Sequence, residues 1–213
     1  MKKLIAIVMM FFLFLSIFAN QPDSTMVAED VYGLDIDEEL HQCFGDKYID
    51  FSVSKHKIDA LIWVAATNSD NNDGLLLIYN KQMKEFWLAL IQTRAKWAEW
   101  IKVAQDNDIA NVKKEITVRF PKVIYGWLFN GRLYARKGVP IKFYFQYENG
   151  NTTLRSEFKV ISARNRYVES TYTFSINSIE ELDELIAIVE PDNLRKLVEL
   201  KNSVDIRDNN LFK

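Results

Sequence analysis

The spacing of apolar residues changes period along the chain, and each change marks a new element. An unbroken apolar run from Leu4 to Leu15 follows Lys2 and Lys3. That is the build of an export signal, and it is short for a membrane span, which needs roughly 20 apolar residues. Residues 1–19 are therefore expected to be a signal peptide, cleaved after Ala19 or retained as an anchor. Residues 20–40, "NQPDSTMVAEDVYGLDIDEEL", are polar and acidic and predict a flexible linker that orders near its end. A single α+β domain is expected over 41–213.

"KYIDFSV" places Ile49, Phe51 and Val53 on one face at the period of a half-buried strand. "DALIWVAAT" and "LLLIY" are short apolar runs bounded by turn formers, and both read as strands. The first also fits a helical stripe through Ile58, Leu61, Ile62 and Ala65. From Asn80, taken as the N-cap, the period becomes helical. Met83, Phe86, Trp87, Leu90, Ile91, Ala98 and Ile101 then share a face. Trp100 and Val103 fall off that stripe.

A short helical piece is expected at Ile109–Glu115, after which the period returns to two. "KVIYGWLF" and "RLYAR" flank Asn130–Gly131, a strong hairpin signal. "VPIKFYFQY" and "TTLRSEFKVIS" flank Asn149–Gly150, and "RYVESTYTFSI" supplies a further strand. Ser178 and Glu181 form a capping box for a helix through Val189. Pro191 opens a second helix marked by Leu194, Leu197 and Val198, and the tail "DIRDNNLFK" is expected to fray. The architecture predicted is α+β: a short N-terminal hairpin or three-strand unit, one long amphipathic helix, a five-stranded antiparallel meander and two C-terminal helices.

Composition changes this picture in two ways. Cys43 is the only cysteine, so no internal disulfide forms and the core alone must hold an exported chain together. The net charge of −2 conceals an asymmetry. Residues 21–112 carry 8 basic against 16 acidic groups, residues 113–166 carry 12 against 3, and residues 167–213 carry 5 against 10. The basic meander is the most distinctive surface.

Candidate chemistry is sparse. In "TNSDNNDGLLLIYN", placing Gly74 at the sixth position of a calcium loop leaves no leading Asp and no closing Glu. Asn71 and Asp73 remain only a weak metal candidate, and a turn is the simpler reading. His41 and Cys43 lie two apart in "EELHQCF". They could be base and nucleophile, but two residues on one strand share only a face, and the simpler expectation is a buried Cys beside a surface His. No P-loop, nucleophile elbow, zinc-protease helix or dinucleotide fingerprint occurs. No catalytic residue, cofactor or metal is assigned.

Alternation along the meander puts Arg132, Tyr134 and Arg136 on one face beside Lys142, Tyr144, Gln146, Arg155, Glu157 and Lys159. Phe143, Phe145, Leu154, Phe158 and Val160 then point into the core. The binding residues expected are Arg132, Tyr134, Arg136, Lys142, Tyr144, Arg155 and Lys159. The function expected is an exported, periplasmic or secreted, non-catalytic binding protein. Its partner would be an anionic polymer, an anionic lipid surface or an acidic protein, with nucleic acid disfavoured by export. Two alternatives are a cell-envelope hydrolase with unpaired carboxylates and an inhibitor or immunity-type protein anchored by Trp100.

Overall fold

The computed structural model describes residues 26–27, 37–54, 56–66, 74–129, 132–161 and 169–211. The expected signal at 1–19, the loop carrying Asn71 and Asp73, and the Asn130–Gly131 turn lie outside the described residues, as do the side chains of Arg132, Lys159 and Val160. Among the described residues no helix is long and apolar enough to cross a membrane.

The fold is α+β, as the sequence predicts. The strands are β1 (Met26–Val27), β2 (Asp37–Phe44), β3 (Lys47–Ser54), β4 (Lys57–Ala66), β5 (Gly74–Ile78), β6 (Asn111–Glu115), β7 (Val123–Phe129), β8 (Arg132–Val139), β9 (Tyr144–Glu148), β10 (Asn151–Ile161) and β11 (Glu169–Ile176). The helices are α1 (Asn80–Asp106), α2 (Ile179–Ile188) and α3 (Pro191–Leu211). Hydrogen-bonded neighbours run β1-β8-β7-β5-β4-β11-β10-β9-β6, and the β2–β3 hairpin joins β4 through β3.

All five strands of the expected meander are present and antiparallel, but they are divided. The β7–β8 hairpin pairs with β5, whereas β9–β10–β11 reaches β4 from its other side. Ordered structure also reaches into the expected linker. Strand β2 begins at Asp37, and Met26–Val27 pairs with β8.

Strict alternation divides the sheet into two faces. Ile49, Phe51, Ile58, Ala60, Ile62, Leu76, Ile78, Tyr125 and Phe158 join one large core with α1. Leu61, Leu75, Leu77, Ile124 and Ala135 form a smaller apolar cluster on the outer face, edged by Trp63 and Tyr79. Because β5 has an apolar cluster on each side, the run "GLLLI" is buried at every position. The reading of "DALIWVAAT" as a strand holds for the same reason.

Helix α1 lies against the inner face on Met83, Phe86, Leu90, Thr93, Trp97 and Ala104, all buried. Spacings of three and four carry this stripe through the polar Thr93, so Trp97 lies inside it and Ile91, expected inward, is exposed. Trp97 donates its indole N–H to Thr152 Oγ1 at 2.7 Å. Trp100, expected off the stripe, packs on Phe145 at 5.7 Å between centroids. The cap is Tyr79 rather than Asn80. Gln82 N donates to Tyr79 O at 2.7 Å and Gln82 Oε1 accepts from Tyr79 N at 3.2 Å, while Asn80 is the first helical residue.

Two further local expectations fail. Ile109–Glu115 is not helical: Asp108 takes a left-handed φ of 51°, which stops α1, and Asn111–Glu115 then pairs with the free edge of β9. The tail expected to fray continues α3 to Leu211. The capping box at α2 forms on its backbone side, with Glu181 N donating to Ser178 Oγ at 3.1 Å.

The Glu181 side chain does something else. Its Oε1 meets Lys47 Nζ at 2.6 Å and its Oε2 accepts from Asn177 N at 2.9 Å. Glu184 Oε2 accepts from Gly45 N at 2.8 Å. The turn between β2 and β3 is thereby latched to the first turns of α2. Only 16% of the Lys47 side chain and 7% of the Glu181 side chain are exposed, so each charge depends on the other. At Gly45, φ is 54° and an added Cβ would fall 2.8 Å from Glu181 Cδ.

Two stability predictions follow from these contacts. Gly45→Ala should destabilise the fold by about 1–3 kcal/mol, since it combines a left-handed backbone with displacement of the latch. Urea unfolding checks this. Tyr125 Oη is buried without a hydrogen-bond partner among the described residues, and burial, reinforced by Tyr172, raises its pKa well above the ordinary 10.0. A raised folded pKa supplies stability below the unfolded value that is lost as pH rises beyond it. Tyr125→Phe should therefore be neutral or stabilising by up to about 1 kcal/mol at neutral pH. It should also lessen the fall in melting temperature between about pH 9 and about pH 11.

Candidate functional site

The divided meander decides the fate of the basic face. Across β6, β9, β10 and β11, register sets Glu115 opposite Tyr144, Tyr144 opposite Arg155 and Arg155 opposite Ser175, all on the face away from α1. Lys113 and Gln146 form the next row. Lys142, just ahead of β9, reaches Glu115 at 3.3 Å, and Lys113 reaches Glu157 at 3.9 Å. Arg155 lies 3.1 Å from Glu157 and donates to Thr173 Oγ1 at 3.3 Å. Lys113 also stands 5.3 Å from the centre of the Tyr144 ring.

Lys142, Tyr144 and Arg155 are thus brought together, joined by Lys113 from β6. Phe143, Phe145, Leu154 and Phe158 are buried beneath them, as alternation predicts. Tyr134 and Arg136 are not part of this patch. Strands β7, β5, β4, β11 and β10 separate β8 from β9. Tyr134 also turns to the inner face, where its ring stacks on Trp127 at 5.9 Å. The backbones of Arg132 and Lys159 lie in β8 and β10, with side chains outside the described set.

A second constellation lies on the same outer face at the β2–β3–β4 corner. Gly45–Asp46 is a two-residue turn, with Phe44 paired to Lys47 and Cys43 to Tyr48. Glycine is in the left-handed region at its first position, as such turns require. The regular pairing ends at Gln42 and Ile49, and one residue further along a side-chain hydrogen bond brings His41 to Asp50. His41 Nδ1 lies 2.8 Å from Asp50 Oδ1, and His41 Nε2 lies 3.7 Å from Cys43 Sγ. Trp63 Nε1 donates to Asp50 Oδ2 at 2.6 Å. The rings of His41 and Tyr48 are 4.9 Å apart, and those of Tyr48 and Trp63 are 5.9 Å apart.

This corrects the expectation of a buried structural cysteine. Cys43 is exposed because it alternates with Phe44, which takes the core position at the end of the strand. Asp50 supplies the third group that sequence spacing did not reveal. Its side chain is 12% exposed against 43% for His41, so a recessed carboxylate supports an accessible imidazole.

The hydrogen bonds also assign the tautomer. A carboxylate only accepts, so His41 Nδ1 carries the proton it gives to Asp50. In the neutral ring Nε2 then has a free lone pair facing the Cys43 thiol. Among the described residues no group of three or more His, Cys, Asp or Glu is arranged to hold a metal ion.

A groove of about 480 Å³ opens between the start of α1 and α3. It is floored by Ile58, Met83 and Leu194 and rimmed by His56, Lys84 and Arg195. Glu199 is the one carboxylate among its lining residues. Comparison of the chain with family models, with curated proteins and with solved structures finds no match.

Trp63→Phe tests the corner as a hydrogen-bonded unit. It leaves Asp50 Oδ2 without its donor and should cost about 1–3 kcal/mol in urea unfolding. Trp63→Phe together with Asp50→Asn should cost less than the sum of the two single changes.

Proposed function

We propose that this is an exported binding protein whose outer sheet face takes up an anionic polymer. Lys2, Lys3 and the apolar run from Leu4 to Leu15 support export. The observation that carries the binding reading is the patch of Lys113, Lys142 and Arg155 converging on Tyr144 across three strands.

Glu115 and Glu157 offset part of this charge, but through weak contacts. Lys142–Glu115 and Lys113–Glu157 are exposed pairs at 3.3 and 3.9 Å, and such pairs contribute about 0–1 kcal/mol in water. An incoming polyanion can exchange for these carboxylates at little cost. Tyr144 offers a ring and a hydroxyl beside the cations. Gln146, Thr153 and Ser175 surround it with further hydrogen-bonding groups on the same face. An extended, sulfated or otherwise anionic polymer suits such a polar surface better than a lipid bilayer, which favours an apolar wedge.

Heparin-agarose provides a generic polyanion for the test. The wild type should be retained at about 0.05 M salt and released by about 0.5 M, as screening of exposed charges requires. Lys113→Glu with Lys142→Glu should abolish retention without lowering the melting temperature. Equal retention of the double variant would refute the proposal, and binding to anionic vesicles but not to heparin would redirect it to a lipid surface.

A further inference from the structure

We propose that Cys43, His41 and Asp50 form a nucleophilic thiol site that accepts an acyl group from an activated ester or thioester. This goes beyond polyanion binding and does not rest on it.

Three geometric facts carry the inference. The thiol is accessible, so an electrophile can reach Sγ from solvent. His41 Nε2 is 3.7 Å from that sulfur, within reach of the thiol proton. Asp50 holds the opposite ring nitrogen at 2.8 Å and is itself anchored by Trp63 at 2.6 Å. The ring therefore presents a proton acceptor, not a donor, to the thiol. Nucleophile, base and orienting carboxylate each occupy the place that activation of a weak nucleophile requires. Asp50 on β3 positions the base through its hydrogen bond to His41, and the Lys47–Glu181 latch holds the turn from which β2 and β3 run.

The reaction balances without a cofactor. The Cys43 S–H proton passes to His41 Nε2 as Sγ bonds to the acyl carbon. The bond from that carbon to the leaving oxygen or sulfur then breaks, and His41 returns the proton to the departing group. In the second half, water gives a proton to His41 as its oxygen attacks the thioester carbon. The C–S bond breaks, and Cys43 recovers its proton from His41. Cys43 and His41 are the catalytic residues, while Asp50 and Trp63 are positioning residues. With a single cysteine in the chain there is no internal resolving thiol, which favours acyl over disulfide chemistry.

The test uses the full exported chain with two probes, iodoacetamide and p-nitrophenyl acetate, at about pH 7. Cys43 should be alkylated faster than glutathione by about tenfold or more. His41→Ala and Asp50→Asn should each erase most of that advantage while circular dichroism stays unchanged. Added imidazole should restore reactivity in His41→Ala but not in Asp50→Asn, a rescue that no purely structural role of His41 would allow. Mass spectrometry should find the acetyl group on Cys43 with p-nitrophenyl acetate, and none in Cys43→Ser.

Alkylation at the glutathione rate, unchanged in His41→Ala, would overturn the site altogether. Fast, His41-dependent alkylation with neither an acetyl adduct nor Cys43-dependent release of p-nitrophenolate would overturn the acyl class. Should Asp50→Asn unfold the chain, Trp63→Phe takes its place. It should slow alkylation if Asp50 must be held, and an unchanged rate in a folded Trp63→Phe would contradict the positioning role.

Discussion

Strand β4 is the constraint on which the rest of the structure depends. Its ten residues pair with β3 over Lys57–Ile62, with β5 over Ala60–Val64 and with β11 at Ala65 and Ala66. Because side chains alternate, those pairings also fix which face every neighbouring residue uses. Ile58, Ala60 and Ile62 send one face to α1. Leu61 and Trp63 send the other outward, opposite Leu77 and Leu75 in turn. A slip of one residue in β4 would bury Trp63 and expose Ile62, and it would also take the indole away from Asp50.

The same alternation links the core to chemistry. Phe44 is fully buried and Cys43 is its strand neighbour, so burying the first exposes the second. Asp50 lies between Ile49 and Phe51, both fully buried, which holds it rigidly and close to the sheet. Its two accepted hydrogen bonds compensate the cost of recessing a carboxylate. On the far side of β4, Phe143, Phe145 and Leu154 are buried, which turns Tyr144 and Arg155 outward in the same way. Both candidate sites are thus consequences of how the inner face packs against α1.

Much of this was legible in the sequence, and what was missed has physical causes. Period-two and period-3.6 patterns found the long helix, the hairpins and the capped C-terminal helices, because those signals are local. Neither the separation of β8 from β9 nor the placement of β11 beside β4 follows from local pattern, since short loops suggested one continuous meander. Alternation alone sets Tyr134 beside Arg132 and Arg136 on a solvent face, whereas its ring stacks on Trp127 inside. "NVKKE" has no strong period of its own and the sequence predicts helix there, whereas pairing with the available edge of β9 makes it strand β6. The corner at Cys43 has a partial signal: Gly45–Asp46 as a two-residue turn pairs Cys43 with Tyr48 and Gln42 with Ile49, which leaves His41 and Asp50 each one residue beyond the last of these pairs. Trp63 needed the third strand and was beyond local reading.

The central proposal is that the hydrogen bond to Asp50, not sequence proximity to Cys43 alone, prepares His41 to act as a base. Nitrogen-15 NMR of the imidazole tests it most directly, because the two ring nitrogens differ sharply in shift according to which carries the proton. The account predicts a protonated Nδ1 and an unprotonated Nε2 in the neutral ring, with an exchange-protected Nδ1 proton that is lost in Asp50→Asn. A neutral His41 with its proton on Nε2, unchanged by that substitution, would contradict it.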